Sequence, residues 1–103
     1  MYTIVETPIY LKHVLAFWTL QERENFVVWI ADNPESGDVI PNTRGLRKVR
    51  YARAGMGKRG GVRIIYLVQS NKGQTLLLAA YTKAEHDHLS ITFLQSLSKL
   101  YGE

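Results

Sequence analysis

The sequence predicts an α+β fold: a small antiparallel-meander sheet with an N-terminal helical hairpin and a C-terminal helix packed on one face. Three observations carry this. Helical spacing and capping residues are confined to the two ends, before Pro34 and after Thr82. Stretches rich in β-branched and apolar residues follow one another through residues 46–82, separated by short Gly-rich or turn-forming links. Strands joined by such short links pair antiparallel, because a parallel pair needs a crossover of about a dozen residues. The length, 103 residues, fits one domain spanning 1–103, and 46% hydrophobic with 21% charged residues is an ordinary globular composition.

The elements follow in order. Thr3, Ile4 and Val5 make residues 1–6 a short strand. Thr7-Pro8 then starts a helix, with threonine at the cap and proline at the first helical position. Thr19-Leu20-Gln21-Glu22 is a capping box that opens a second helix. Phe26, Val27, Ile30 and Ala31 form its buried stripe, and Pro34 stops it. PESGDVIPNTRG (34–45) is turn chemistry and reads as a loop. Residues 46–53 read as a strand, AGMGKRGG (54–61) as a connection and 62–69 as a second strand. Residues 70–73 form a tight turn into 75–82, whose nearly unbroken apolar run marks a central strand covered on both faces. Thr82-Lys83-Ala84-Glu85 is a second capping box. It is expected to open a final helix with Leu89, Phe93, Leu94, Leu97 and Leu100 on its apolar side.

Several function classes are excluded at once. No apolar run reaches about 18 residues, so no membrane-spanning segment is expected. Residues 1–6 show no basic region leading into an apolar core, and a cytoplasmic location is expected. Cysteine is absent, which removes disulfides, thiol nucleophiles and thiolate metal sites. GKRGG lacks the phosphate-loop pattern. His86 and His88 lie two apart, so on a helix they point to different faces, and neither a metal nor another cofactor is expected. His13, on the first helix, reads as structural.

Charge is the strongest functional signal. The chain carries a net +4, but residues 44–63 hold eight of its thirteen basic residues and no acid. Residues 1–43 are net −4 and residues 64–103 balance. Like charges kept this close cost free energy, so the segment points to a polyanion. Strand alternation allows Val49 and Tyr51 to face inward, which sends Lys48 and Arg50 to the other face, where they can converge with Arg63. RNA suits such a site, because its 2′-hydroxyl is an internal nucleophile beside the phosphodiester. A protein need only align the two, move protons and neutralise the phosphate. Arginine holds phosphate oxygens bidentately, and neighbouring cations lower the pKa of a lysine or tyrosine so that it can shuttle protons.

GLRKVRYARAGMGKRGGVRIIYLVQ (45–69), followed by TLLLAAYTKAE (75–85), resembles the RelE/HigB superfamily of bacterial type II toxins, and most of all its HigB-like branch. The helical hairpin and NPESGDVIP (33–41) extend the resemblance over nearly the whole chain. It implies a RelE-like fold and a ribosome-dependent endonuclease that cuts mRNA in the decoding site. Its implied partners are the ribosome, mRNA and a small antitoxin encoded alongside, often a helix-turn-helix protein. By position, Arg63 matches the arginine that stabilises the phosphate in the transition state. Lys48 and Arg50 match paired basic positions for proton transfer and phosphate contact, and Lys83 a basic residue after the last central strand. Where many RelE relatives carry a C-terminal tyrosine, this chain has His86-Asp87-His88-Leu89-Ser90, and Tyr81 is the substitute considered. Arg47, Arg53, Lys58 and Arg59 are expected to contact RNA or the ribosome. The alternatives are a non-enzymatic inhibitor on the same fold, like the ParE toxins that bind DNA gyrase, or a plain nucleic-acid-binding module.

Overall fold

The computed structural model describes residues 2–51, 61–82 and 89–102. In chain order its elements are β1 (Thr3–Glu6), α1 (Pro8–Val14), α2 (Leu20–Asp32), β2 (Asp38–Val39), β3 (Arg47–Tyr51), β4 (Val62–Gln69), β5 (Gln74–Thr82) and α3 (Ile91–Tyr101). The five strands form one sheet in the order β1-β5-β4-β3-β2. From β2 to β5 neighbours run antiparallel, the expected meander. β1 joins the far edge parallel to β5, with Thr3 opposite Gln74 and Glu6 opposite Leu77.

β5 lies inside the sheet, between β1 and β4, as its sequence predicts. Residues 75–81 are all buried. β1 covers its outer edge only as far as Leu77, and side chains take over beyond that point. The Thr7 N–H and hydroxyl both donate to the Leu77 carbonyl, at 3.2 and 2.7 Å. The Ala80 N–H donates to His13 Nδ1 at 3.0 Å. His13 is thus structural, and it supplies the acceptor that a longer β1 would have provided.

Helix starts are set by local chemistry. Thr19 accepts from the Glu22 N–H at 3.1 Å, and Glu22 Oε1 accepts from the Thr19 N–H at 2.8 Å, which completes the capping box. α2 buries Phe26 and Ile30 and ends just before Asn33-Pro34. An Arg23–Glu6 ion pair at 3.0 Å ties α2 to β1.

Four expectations need correction. The helices do not share one face. α1 and α2 pack Tyr10, Val14, Phe26 and Ile30 against Val49, Val62, Ile64, Tyr66, Leu77 and Ala80. α3 packs Leu94 and Leu97 on the opposite face, against Leu46, Ile65, Leu67, Leu76, Leu78, Ala79 and Tyr81. The apolar run of β5 requires this, because both its faces must be kept from water. The last helix starts at Ile91, where the Ser90 hydroxyl accepts from the Phe93 N–H at 3.1 Å. Thr82 instead ends β5, and Lys83, Ala84 and Glu85 lie outside the described residues. Leu100 is exposed rather than inward. Finally, the 34–45 segment contains β2, too short to leave a periodic signal. Among the described residues, no helix is long and apolar enough to cross a membrane.

Candidate functional site

The site begins with the way β3 is held. Val49 is buried among the residues beneath α1 and α2. Tyr51 joins an aromatic cluster on that side, with ring centroids 5.0 Å from Phe26, 5.3 Å from Trp29 and 6.1 Å from Trp18. Alternation then turns Lys48 and Arg50 to the opposite face, and both are exposed. Anchoring Tyr51 on one face therefore orients the cations on the other.

Strand register brings further groups beside them. Arg50 lies directly opposite Arg63, and Lys48 opposite Ile65. Arg63 in turn lies opposite Tyr81. Tyr81, Arg63 and Arg50 thus form one row across three strands, spanning about 10 Å at the usual strand spacing. Two guanidinium side chains on one cross-strand pair are close enough to hold a single anion together.

Tyr81 reaches this row through a bulge. The β4–β5 register shifts between Ile65 and Tyr66: Tyr66 pairs with Leu77, yet Ile65 pairs with Ala79. Leu78 is the extra residue, and both Leu78 and Ala79 pack on the α3 side. Strict alternation from Leu77 would have sent Tyr81 beneath α1. The inserted residue flips it onto the cation face.

Two local features complete the site. Gly61 lies under the Arg50 side chain, and a Cβ built there would stand 2.9 Å from Arg50 Nε and 3.5 Å from its Cγ. The absence of a side chain at residue 61 thus lets Arg50 lie across the start of β4. Beside the row is a cleft of about 400 Å³ lined by Lys48, Tyr81 and Ser90 with Ile40, Ile65, Leu89, Ile91 and Leu94. Its volume is in the range of small-ligand sites, and its walls are mostly apolar with a few polar groups.

Of the residues predicted from sequence, Lys48, Arg50, Arg63 and Tyr81 come together. Arg47 does not. It faces the Tyr51 side and donates to the Gly37 and Glu35 carbonyls at 2.7 and 3.4 Å, so it holds the loop before β2. Gly37 itself must be glycine, since a Cβ would stand 2.8 Å from the Lys48 carbonyl oxygen. Arg53, Lys58, Arg59 and Lys83 lie outside the described residues, as do His86, Asp87 and His88. Among the described residues, no group of three or more metal-ligating His, Asp or Glu side chains occurs. Sequence reasoning missed Gly61 and the cleft. The paired glycines at 60–61 were the available signal for the first. The second depends on where α3 packs.

No model of a known protein family matches the sequence. Solved structures do resemble it. A mutant of the E. coli toxin RelE in the free state is 15% identical, with 99% of this chain and 98% of that chain covered and a TM-score of 0.61. The isolated E. coli RelE toxin is 14% identical over 97% of this chain and 99% of that chain, with a TM-score of 0.55. A chain of the intact E. coli RelBE toxin-antitoxin complex is 15% identical over 80% of this chain and 96% of that chain, with a TM-score of 0.54. At these identities the likeness establishes a RelE-like fold.

Proposed function

We propose that this chain is the toxin of a type II toxin-antitoxin pair, of the HigB-like kind, and cleaves mRNA on the ribosome. The observation that carries this reading is the row Arg50–Arg63–Tyr81, with Lys48 one pair further along the same face. A fold shared with RelE supports it, and so do the matching motifs in residues 45–69. The antitoxin is the first expected partner, and one of the similar structures is a toxin-antitoxin complex. The eight basic residues clustered in 44–63 with no acid among them also favour a phosphate ligand over the gyrase-inhibitor alternative. This reading implies a cytoplasmic location, where ribosomes are.

The chemistry follows from the side chains present. The 2′-oxygen attacks the adjacent phosphorus as the P–O5′ bond breaks, leaving a 2′,3′-cyclic phosphate and a 5′-hydroxyl. Arg63 and Arg50 sit where two guanidiniums can hold the non-bridging oxygens as charge gathers on them. Lys48 is placed to take the 2′-hydroxyl proton or to return one to the leaving oxygen, with Tyr81 as its neighbour across the cleft. Lys83 is a second candidate for proton transfer, and Arg53, Lys58 and Arg59 are candidates for contact with ribosomal RNA. No histidine is expected to act in this chemistry.

Arg63→Ala is the decisive variant. Its loss should lower the cleavage rate of mRNA on programmed ribosomes by about 10²–10³, the usual effect of removing one transition-state donor. The thermal melt should stay near wild type, because Arg63 is not a core side chain. Undiminished cleavage by a folded Arg63→Ala protein would overturn the assignment. Mapping transcript ends after brief expression separates the alternatives: cuts within translated codons support the nuclease, and DNA damage without cuts supports gyrase inhibition.

A further inference from the structure

At the other end of β3, the turn at residues 41–45 and the C-terminal half of α3 enclose a second cleft. It measures about 270 Å³ and is lined by Asn42, Thr43, Arg44, Gln95, Ser98 and Lys99. The lining holds two cations, four neutral polar side chains and no acid. The turn is locked from several sides. The Ile40 N–H donates to the Leu46 carbonyl at 2.7 Å, the Thr43 hydroxyl to the Ile40 carbonyl at 2.6 Å, and Gln95 Nε2 to the Asn42 carbonyl at 3.0 Å. Asn42 and Arg44 both adopt left-handed backbone, with φ of 63° and 60°. Residues with a Cβ rarely stay there unless their surroundings hold them. Ser98 is only 4% exposed, and its hydroxyl has no hydrogen-bond partner among the described residues.

We propose that this cleft is a second phosphate-binding site, in which Arg44 and Lys99 supply charge and Ser98 a hydroxyl donor, and that it grips an RNA backbone phosphate remote from the one held by Arg63. The RNA comes from the function proposed above; the phosphate chemistry stands on the cleft itself. A space of this size, at the lower edge of small-ligand sites, has room for a single phosphate group. Guanidinium and ammonium offer donors and no acceptor, which matches a ligand made of acceptor oxygens. The carbonyl end of α3 opposes an anion with about half a negative charge, which the two full positive charges outweigh. The ligand must be a different phosphate from the one in the row, because Leu46 and Arg50 alone are about 13 Å apart along the strand.

The test uses the full chain and an Arg44→Gln/Lys99→Gln variant. Both side chains are exposed, so the fold should survive. Inorganic phosphate titrated into isotope-labelled wild type should shift the backbone amides of residues 42–45 and 98 saturably, and should leave them unmoved in the variant. Ser98→Ala should weaken that response with no change in charge. A 2′-O-methyl RNA, which cannot be cleaved, should bind the variant roughly tenfold more weakly at low salt, the cost of losing about one charge-assisted contact. Its log–log salt dependence should be shallower by about 0.7, the value for one phosphate contact on a single strand. Absence of phosphate shifts at this turn would overturn the site. Phosphate shifts with unchanged RNA affinity would overturn the RNA ligand and leave free phosphate. Unchanged RNA binding with lost binding of a Glu-rich peptide would assign the cleft to an acidic protein segment instead. None of these readings requires cleavage, so they stand whether or not the protein cuts RNA. An Arg63→Ala control should keep the phosphate shifts at residues 42–45 while cleavage is lost.

Discussion

Tyr10 buries its whole side chain, and its hydroxyl has no hydrogen-bond partner among the described residues. Burial raises the pKa of this phenol above its ordinary value, the nearby Glu6 carboxylate raises it further, and Arg23 partly offsets both. In the unfolded chain the phenol ionises near pH 10, whereas in the folded chain it stays protonated to higher pH. Stability from this group is therefore complete below pH 10 and is lost progressively as pH rises above it. Tyr10→Phe should flatten that alkaline loss in urea melts compared across pH 8–11. At neutral pH the variant should be more stable by about 1 kcal/mol, since the orphaned hydroxyl is gone. At Gly61 the expected consequence is catalytic. Its backbone is not left-handed, and the atoms a Cβ would meet belong to the flexible Arg50 side chain. Gly61 is buried, but the exposed Arg50 side chain above it can move aside, so Gly61→Ala should leave the melt within about 1 kcal/mol of wild type while displacing Arg50. Cleavage on programmed ribosomes should fall roughly tenfold, about the worth of one misplaced charge-assisted contact. In an Arg50→Ala background the same substitution should add nothing, because the two changes act through one group.

At the scale of elements, β5 depends on what closes its outer edge. His13 stands in for a strand that stops at Glu6. His13→Leu should leave the Ala80 N–H without its acceptor and cost about 1–3 kcal/mol. Faster hydrogen exchange at the Ala80 amide would localise the effect, and unchanged exchange there would contradict it. β3 depends on Tyr51 in a comparable way. Tyr51→Ala removes three ring contacts at the strand's end. It should destabilise by about 2 kcal/mol, less than a fully buried aromatic costs. Cleavage should fall beyond what the lost stability explains, because the strand end that carries Arg50 loses its anchor.

Across the whole molecule, the two faces of the sheet do different work. One is closed by α1 and α2 and supplies the larger core. The other is covered by α3 over part of its area, and the exposed cations Lys48 and Arg50 lie on it. Neutralising a phosphate does not by itself hold RNA in line for attack. Orientation can be worth roughly 7–11 kcal/mol of barrier, and a decoding site that fixes the codon can supply much of that. Naked RNA should therefore be cut negligibly, and programmed ribosomes efficiently, at the same enzyme concentration. Robust cleavage of free RNA at physiological salt would show that the protein itself provides the alignment, and would move attention to Tyr81 and Lys83 as proton carriers.

The sequence by itself determined the α+β class, the capping box at Thr19 and the strand run from residue 46 to 82; it allowed Lys48, Arg50 and Arg63 to converge, and the strand register brought Arg50 opposite Arg63. The first three rest on local spacing, which a linear pattern records directly. Pattern alone did not say which face of β3 was buried; the packing of Val49 and Tyr51 settled that as expected. Tertiary structure alone decided the rest. That α3 crosses to the second face follows from the need to cover both sides of β5, a demand spread over the whole sheet. That Tyr81 joins the cations depends on one inserted residue, Leu78, whose presence as a bulge is visible only against the partner strand. Arg47 and Arg50 look alike in sequence, yet one holds a loop and the other faces solvent, because alternation sends odd and even residues to opposite sides of a sheet whose faces meet different neighbours.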